Sequence, residues 1–133
     1  MRLKQEAVPA VDWSMDLPAR ETATYILERL IGEWRRYGHV FSVVRLELPA
    51  ERVAAAVPRL QSALRDADVL ARWDDEELLV LLPETDQVGA ETAAERLREA
   101  VREIPMLAGA VQWTGGSAEG LLSRARWVAA RGV

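Results

Sequence analysis

Cysteine is absent from the 133-residue sequence, and histidine occurs only once. The lack of cysteine excludes disulfides, thiolate metal sites and cysteine nucleophiles, and a single histidine excludes a histidine-rich metal centre. A cysteine-free chain suits a reducing compartment, so we expect a cytoplasmic protein. No apolar run approaches the ~20 residues that span a bilayer, and residues 1–16 lack the apolar core of a signal peptide. We therefore expect no membrane insertion.

The chain also lacks an excess of basic residues. Its formal net charge is -4 and its pI is about 5.1. A surface that binds nucleic acid needs a basic balance or a basic stripe, so we expect no nucleic-acid partner. Half of the residues are hydrophobic and 29% are charged, which is typical of one globular domain with a single core.

The hydrophobic pattern divides the chain into an extension and a folded domain. Residues 1–17 are mixed in composition and punctuated by proline, which predicts an N-terminal linker, and residues 18–133 carry the periodic segments. Helices are predicted over 18–38, 50–66, 86–104 and 121–133, and strands over 40–48, 68–73, 78–83 and 106–113. Pro58 should kink the second helix or delay its start. The residues of the third helix that should face inward are Val88, Thr92, Ala93, Leu97, Ala100, Val101 and Ile104.

Four consecutive carboxylates stand between two of these strands. They are Asp74, Asp75, Glu76 and Glu77, directly before the apolar run LLVLLP. Two short strands with a tight connection predict a hairpin, so the acidic residues should lie at its turn. Such a turn could hold a metal ion, or it could be a phosphate-binding turn that has lost its function.

Three stretches of the chain resemble one known family. Residues 71–86, ARWDDEELLVLLPETD, line up without a gap with the Ala-Arg-aromatic-GGDEF-strand-Leu-Pro-x-Thr-Asp pattern of GGDEF domains, the fold of bacterial diguanylate cyclases. Residues 12–20, DWSMDLPAR, have the spacing of the family's DxLTGLPNR opening. Residues 41–48, FSVVRLEL, fall where the family's first strand carries a metal-binding aspartate. The resemblance implies an α/β (α+β) domain of the nucleotide-cyclase palm type, with a central, mainly antiparallel sheet flanked by helices.

The signature hairpin departs from the family pattern. In active members two glycines let the backbone approach the nucleotide, whereas this chain has Asp74 and Asp75 there, followed by Glu76, Glu77 and Leu78. A carboxylate about 4 Å from a phosphate charge costs roughly 4 kcal/mol at an effective dielectric of 20. We therefore expect GTP to be repelled.

Other parts of the nucleotide site are missing as well. The chain is shorter than the family by about fourteen residues between the first strand and the hairpin, where the family has its guanine-recognising FKxxND and GHxxGD segment. The family's phosphate-contacting lysine has no counterpart in RARWVAARGV, and its second strand aspartate is Pro49. We therefore expect no enzymatic activity and no required cofactor. Glu47 and Glu76 keep oxygen ligands at the family's metal positions, so a Mg²⁺ site is an open alternative to a solvated acidic turn.

A second site of the family is retained. Arg65 and Asp68 have the spacing of the RxxD inhibitory site for cyclic di-GMP, and ungapped counting puts the secondary arginine of that site at Arg96. Guanidinium groups can grip a guanine edge or a phosphate, and a carboxylate can accept from guanine N–H groups. The alternative is structural, because arginine is favoured near a helix C-terminus and aspartate is common before strands.

We therefore expect a catalytically inactive, regulatory GGDEF-like domain that senses cyclic di-GMP through Arg65, Asp68 and Arg96. The alternative is a protein-interaction or dimerisation module that binds no nucleotide, and a third hypothesis is a residual GTP-binding enzyme. Tryptophan is enriched at interface hot spots, so any exposed tryptophan could anchor a protein partner or a second copy. The candidates are Trp13, Trp34, Trp73, Trp113 and Trp127.

Overall fold

The computed structural model of the chain describes residues 11–12 and 16–131. The order αβαββαβα predicted from the sequence is confirmed, and a short two-stranded ladder precedes it. In chain order the elements are β1 (Val11–Asp12), β2 (Leu17–Pro18), α1 (Arg20–Tyr37), β3 (Phe41–Glu47), α2 (Ala50–Ser62), β4 (Val69–Asp74), β5 (Glu77–Pro83), α3 (Gln87–Ala100), β6 (Leu107–Gln112) and α4 (Ala118–Arg131).

The main sheet is antiparallel and has the strand order β4-β5-β3-β6. Successive residues of a strand point to opposite faces, so the apolar runs of β3 and β5 serve two cores. One face packs on α2 and α3 and includes Val44, Leu46 and Val80. The other packs on α1 and α4 and includes Val43 and Leu79. The predicted fold class, a central antiparallel sheet flanked by helices, is confirmed.

The first helix ends as predicted but begins at Arg20, two residues later than predicted, because Pro18 belongs to β2. Ala23, Leu27 and Ile31 recur every four residues and are buried against the sheet. Gly38 ends the helix in the left-handed region, at a φ of 75°, and its N–H donates to the carbonyl of Trp34. Three residues then separate the last helical residue, Tyr37, from the start of β3.

The second and third helices differ in detail from the prediction. Helix α2 continues through Pro58, whose ring is exposed to solvent, and ends at Ser62. Helix α3 ends at Ala100, four residues before the predicted end, because the backbone leaves helical geometry at Val101, with a φ of -127°. Val88 and Thr92 were predicted to face inward and are exposed. Ala90 and Ala94 are buried in their place.

The last helix begins earlier than predicted. It starts at Ala118, within the segment predicted as loop, because Ser117 caps it: the Gly120 N–H donates to Ser117 Oγ at 3.0 Å. The glycines before it supply the turn, with φ values of 109° at Gly115 and 90° at Gly116.

The N-terminal boundary stays a prediction. Leu17, placed in the linker by its composition, is fully buried in the core, and Leu17 pairs with Asp12 in the β1–β2 ladder. The rest of the predicted linker, including Trp13, lies outside the described residues. Among the residues described, no helix combines the length and apolarity needed to cross a membrane.

Candidate functional site

The three residues predicted to bind cyclic di-GMP line one cavity. Arg65 and Asp68 lie in the loop between α2 and β4, and Arg96 lies on α3. The cavity, here called the Arg65 pocket, has a volume of about 440 Å³. The rest of its lining is Val40, just before β3, together with Leu82 of β5, residues 84–86 of the β5–α3 loop and residues of α3 that follow them. Residues from three separate segments of the chain are therefore brought together at one site.

Arg65 and Asp68 form a closed pair within this pocket. Arg65 Nη2 lies 2.8 Å from Asp68 Oδ1, and Arg65 Nε and the Arg65 backbone N–H donate to Asp68 Oδ2 at 3.2 and 2.9 Å. The Asp68 side chain has no exposed surface, whereas half of the Arg65 side chain is exposed. Hydrogen bonding to Asp68 raises the pKa of Arg65 above its ordinary value. Both Asp68 oxygens are engaged by Arg65, so in this state Asp68 orients the arginine.

Thr85 is a third member of this group that the sequence reasoning did not single out. Its Oγ1 accepts from Arg65 Nη2 at 2.7 Å and donates to the Pro83 carbonyl at 2.8 Å. The Thr85 carbonyl in turn accepts from the buried hydroxyl of Ser42 at 2.7 Å. Arg65 Nη1 makes no hydrogen bond within residues 16–131. Nε and Nη2 of the guanidinium are thus hydrogen-bonded within the protein, whereas the two N–H groups of Nη1 are available to a ligand.

Arg96 completes the basic side of the pocket. It is exposed, and it forms no ion pair or hydrogen bond with the part of the chain that the structure describes. The N-terminus of α3 also lines the pocket, where the Asp86 side chain accepts from the Gly89 N–H at 2.9 Å. Glu84 adds a second carboxylate to the lining. The pocket therefore offers two arginines to an anion, opposed by exposed acidic groups.

The acidic tetrad lies on a hairpin, as predicted. Asp74 and Glu77 are paired strand residues, and Asp75 and Glu76 form the turn between them. Arg72 holds this turn from within: Nε donates to the Asp74 carbonyl at 2.7 Å and Nη2 to the Asp75 carbonyl at 3.0 Å. The Arg72 side chain thus occupies two backbone carbonyl acceptors of the hairpin turn.

A buried ion pair that the sequence reasoning missed joins this hairpin to β3. Glu77 is 6% exposed and Arg45 is 8% exposed, and Arg45 Nη2 lies 2.8 Å from Glu77 Oε1. Arg126 of α4 approaches the other oxygen of Glu77, with Nε 3.6 Å from Oε2. An arginine inside the apolar strand VVRLEL was the available signal, because a buried charge requires a partner.

The proposed metal ligands Glu47 and Glu76 line one cavity of about 380 Å³ at the hairpin. Glu47 stands directly across from Glu77 in the sheet register, and Glu77 is neutralised by two arginines. A Mg²⁺ ion requires about six oxygen ligands in a regular arrangement. Within residues 16–131 there is no group of three or more acidic or histidine side chains that could hold a metal ion. No third acidic or histidine side chain joins Glu47 and Glu76 to complete a site in that part of the chain, so the Mg²⁺ site stays a prediction.

Comparison with known proteins identifies the fold and a family likeness for part of the chain. Residues 51–112 match the family model described as "Diguanylate cyclase, GGDEF domain". This part of the chain is GGDEF-like. The matched range covers α2, the Arg65–Asp68 loop, the hairpin, α3 and β6. No curated protein matches the sequence.

Solved GGDEF domains have the same fold. The GGDEF domain of FimX from Pseudomonas aeruginosa is 14% identical, with a TM-score of 0.85 over 94% of each chain. Diguanylate cyclase SiaD from the same organism, solved with its activator SiaC, is 22% identical, with a TM-score of 0.81. That match covers 98% of this chain and 60% of SiaD. The GGDEF domain of DgcB from Caulobacter crescentus, in complex with cyclic di-GMP, is 16% identical, with a TM-score of 0.74 over 91% of this chain and 88% of DgcB.

Proposed function

We propose that this GGDEF-like domain is a non-catalytic regulatory domain that binds cyclic di-GMP in the Arg65 pocket. The observation that carries the proposal is the convergence of Arg65 and Arg96 on one cavity, with Asp68 buried behind Arg65. An arginine that is oriented before the ligand arrives loses less conformational freedom on binding. This favours a role in recognition over a merely solvated charge.

The recognition chemistry follows from the donors that remain. Arg65 Nη1 offers two N–H groups, and Arg96 offers its whole guanidinium. A cyclic dinucleotide presents phosphate oxygens and the O6 and N7 edge of guanine, and both accept paired N–H donors. Asp68 acts as a positioning residue, because its oxygens already accept from Arg65.

The hairpin supports the absence of catalysis. Asp74, Asp75 and Glu76 are exposed and present like charges to any triphosphate that approaches. Strand β3 ends at Glu47 and α2 begins at Ala50, so no polar segment stands between them to read a guanine base. We therefore expect no turnover of GTP.

Binding can be tested by equilibrium dialysis of labelled cyclic di-GMP against the purified chain and its variants. Arg96→Ala is the cleanest substitution, because Arg96 makes no contact whose loss would unfold the domain. Losing one good bidentate contact of about 1–3 kcal/mol weakens binding roughly 5- to 150-fold. The matched control is Arg35→Ala, which removes an exposed arginine from α1 on the opposite face of the sheet.

Two further variants sharpen the result. Arg65→Ala combined with Asp68→Asn removes the recognition arginine without leaving a buried charge unpaired, and we expect it to abolish binding. Glu84→Gln removes a carboxylate from the pocket lining, so it should tighten binding of an anionic ligand. Equal affinity for wild type, Arg96→Ala and the double variant would exclude this pocket. Formation of cyclic di-GMP from GTP with Mg²⁺ or Mn²⁺ would exclude the non-catalytic part of the proposal.

A further inference from the structure

A second cavity lies on the far side of α3, away from the Arg65 pocket. It runs along β6 between α3 and α4 and has a volume of about 690 Å³. Its floor is built from small side chains, Ala94, Ala108 and Ala110, and Trp127 of α4 forms part of one wall. We call this cavity the α3–α4 groove.

An exposed tryptophan lines this groove. Five large hydrophobic residues are exposed within the described part of the chain, and among them Trp127 borders the groove itself. Trp127 is 60% exposed, although tryptophan is among the residues most often buried at interfaces. An exposed aromatic side chain beside a floor of small residues indicates an interaction surface.

The edge of the sheet in this groove is closed to strand addition. Strand β6 is an edge strand, so its outer side would present unpaired backbone groups. Gln87 covers two of them: its amide group donates to the Ala110 carbonyl at 2.8 Å and accepts from the Gln112 N–H at 2.8 Å. Arg98 Nη2 donates to the Ala108 carbonyl at 3.0 Å. A partner must therefore enter the groove with side chains or a helix.

The two helical walls carry opposite charge. Helix α3 contains three glutamates and two arginines, whereas residues 118–130 of α4 contain one glutamate and two arginines. Arg98, on the α3 wall, is engaged by Glu95 and by β6. Glu91 on the same wall is an exposed acid that accepts from Gln87 Nε2 at 2.9 Å and has no cationic partner among the described residues. Arg124, on the α4 wall, forms no ion pair with any residue in 16–131. If two copies face each other across a two-fold axis, the acidic α3 wall of each copy therefore lies opposite the basic α4 wall of the other.

We propose that the α3–α4 groove is the interface between two copies of this chain. A two-fold axis brings the same patch of both copies together. In that arrangement α4 of one copy lies over α3 of the other, Arg124 faces the second copy's Glu91, and Trp127 inserts over the alanine floor. The interface uses none of the residues of the Arg65 pocket, so it does not depend on the proposed function.

Sedimentation velocity of the full chain without nucleotide tests this interface. We expect a concentration-dependent dimer, and Trp127→Ala should weaken its association by about tenfold or more. The matched control, Tyr37→Ala, removes an aromatic side chain of similar exposure from α1, far from the groove, and should leave association unchanged. Circular dichroism of each variant checks that the fold is kept.

A charge exchange tests the two-fold arrangement itself. Glu91→Arg and Arg124→Glu should each dissociate, because each brings like charges together in both halves of the interface. An equimolar mixture of the two variants should associate again, since every pair in the mixed dimer is then of opposite charge. A wild-type chain that is monomeric at about 100 μM, well above the micromolar range of weak specific association, overturns the proposal. So does a dimer that is insensitive to Trp127→Ala, or a mixture that stays dissociated.

Discussion

The side chain of Asp68 lies wholly beneath that of Arg65 and accepts hydrogen bonds from it at both carboxylate oxygens. Arg65 is the exposed member of the pair, and its Nη1 carries two N–H groups that make no hydrogen bond within residues 16–131. The family's RxxD spacing is therefore present here as a formed structural unit rather than as two separate surface charges. In the proposed site, Asp68 acts on the ligand through the orientation of Arg65.

Asp68→Asn should weaken binding of cyclic di-GMP with little change in the fold. The amide is isosteric, but its NH2 group cannot accept, so one of the two oxygens that accept from Arg65 is lost. The remaining neutral oxygen holds a guanidinium less strongly than a carboxylate does, by about 1 kcal/mol. We expect an affinity roughly fivefold lower in a binding titration. Asp66→Asn, at an exposed position of the same loop, is the control and should bind as wild type does.

Breaking the Arg45–Glu77 pair should destabilise the domain strongly. Arg45→Met leaves buried Glu77 with only the largely exposed Arg126 as a counter-ion, and removing one partner of a buried ion pair costs roughly 3–5 kcal/mol. Urea denaturation measures this cost. Arg126→Met should cost less than about 1 kcal/mol, because that arginine is largely exposed. Equal effects of the two substitutions would contradict the assignment of Arg45 as the main counter-ion.

Gly109→Ala should displace helix α4. A Cβ at this position would lie 2.0 Å from the Ala125 carbonyl oxygen and 2.6 Å from the Ala129 nitrogen, which are backbone atoms that cannot rotate away. Overpacking of this kind costs about 1–3 kcal/mol or more. Thermal denaturation measures the stability of this variant, with Gly32→Ala on α1 as the control. Nothing lies within 4 Å of a Cβ at position 32, so that substitution should stabilise the folded domain by up to about 1 kcal/mol. A Gly109→Ala protein as stable as wild type would contradict the packing described for α4.

The Arg59–Glu103 pair should make stability depend on pH in acid. The hydrogen bond from Arg59 lowers the pKa of Glu103 from 4.5 to about 2. A lowered pKa means that the unfolded chain binds the proton more readily, so the stabilisation is complete above the unfolded pKa of 4.5. It is lost as the pH falls from there toward 2. The difference in urea midpoint between wild type and Glu103→Gln should be largest near neutral pH and shrink in acid; a constant difference would contradict this account.

Periodicity predicted the elements whose apolar residues repeat without interruption. The four-residue spacing of Ala23, Leu27 and Ile31 is sufficient to predict α1. The predicted end of α3 was wrong because Val101 and Ile104 continue the helical spacing and are buried. They follow the helix in a turn and are not part of it. The prediction for Val88 was wrong because Ala90, and not Val88, faces the core in the first turn of α3.

The sites depend on contacts between distant segments, which spacing alone does not reveal. The resemblance indicated Arg65, Asp68 and Arg96, yet Thr85, which also anchors Arg65, lies 20 residues away along the chain. The partner of Arg45 lies 32 residues away. A charge in an apolar strand implies that a partner exists, but only the β3–β5 register determines which residue it is.

The central claim is that the Arg65 pocket takes cyclic di-GMP and that the hairpin no longer takes GTP. Isothermal titration calorimetry of the wild-type chain with each nucleotide, in the same buffer with Mg²⁺, tests both halves directly. The account predicts saturable binding of cyclic di-GMP with a Kd on the order of micromolar, which two arginine contacts and a stacked ligand can support, and no heat with GTP. No binding of cyclic di-GMP, or binding of GTP with similar affinity, would contradict it.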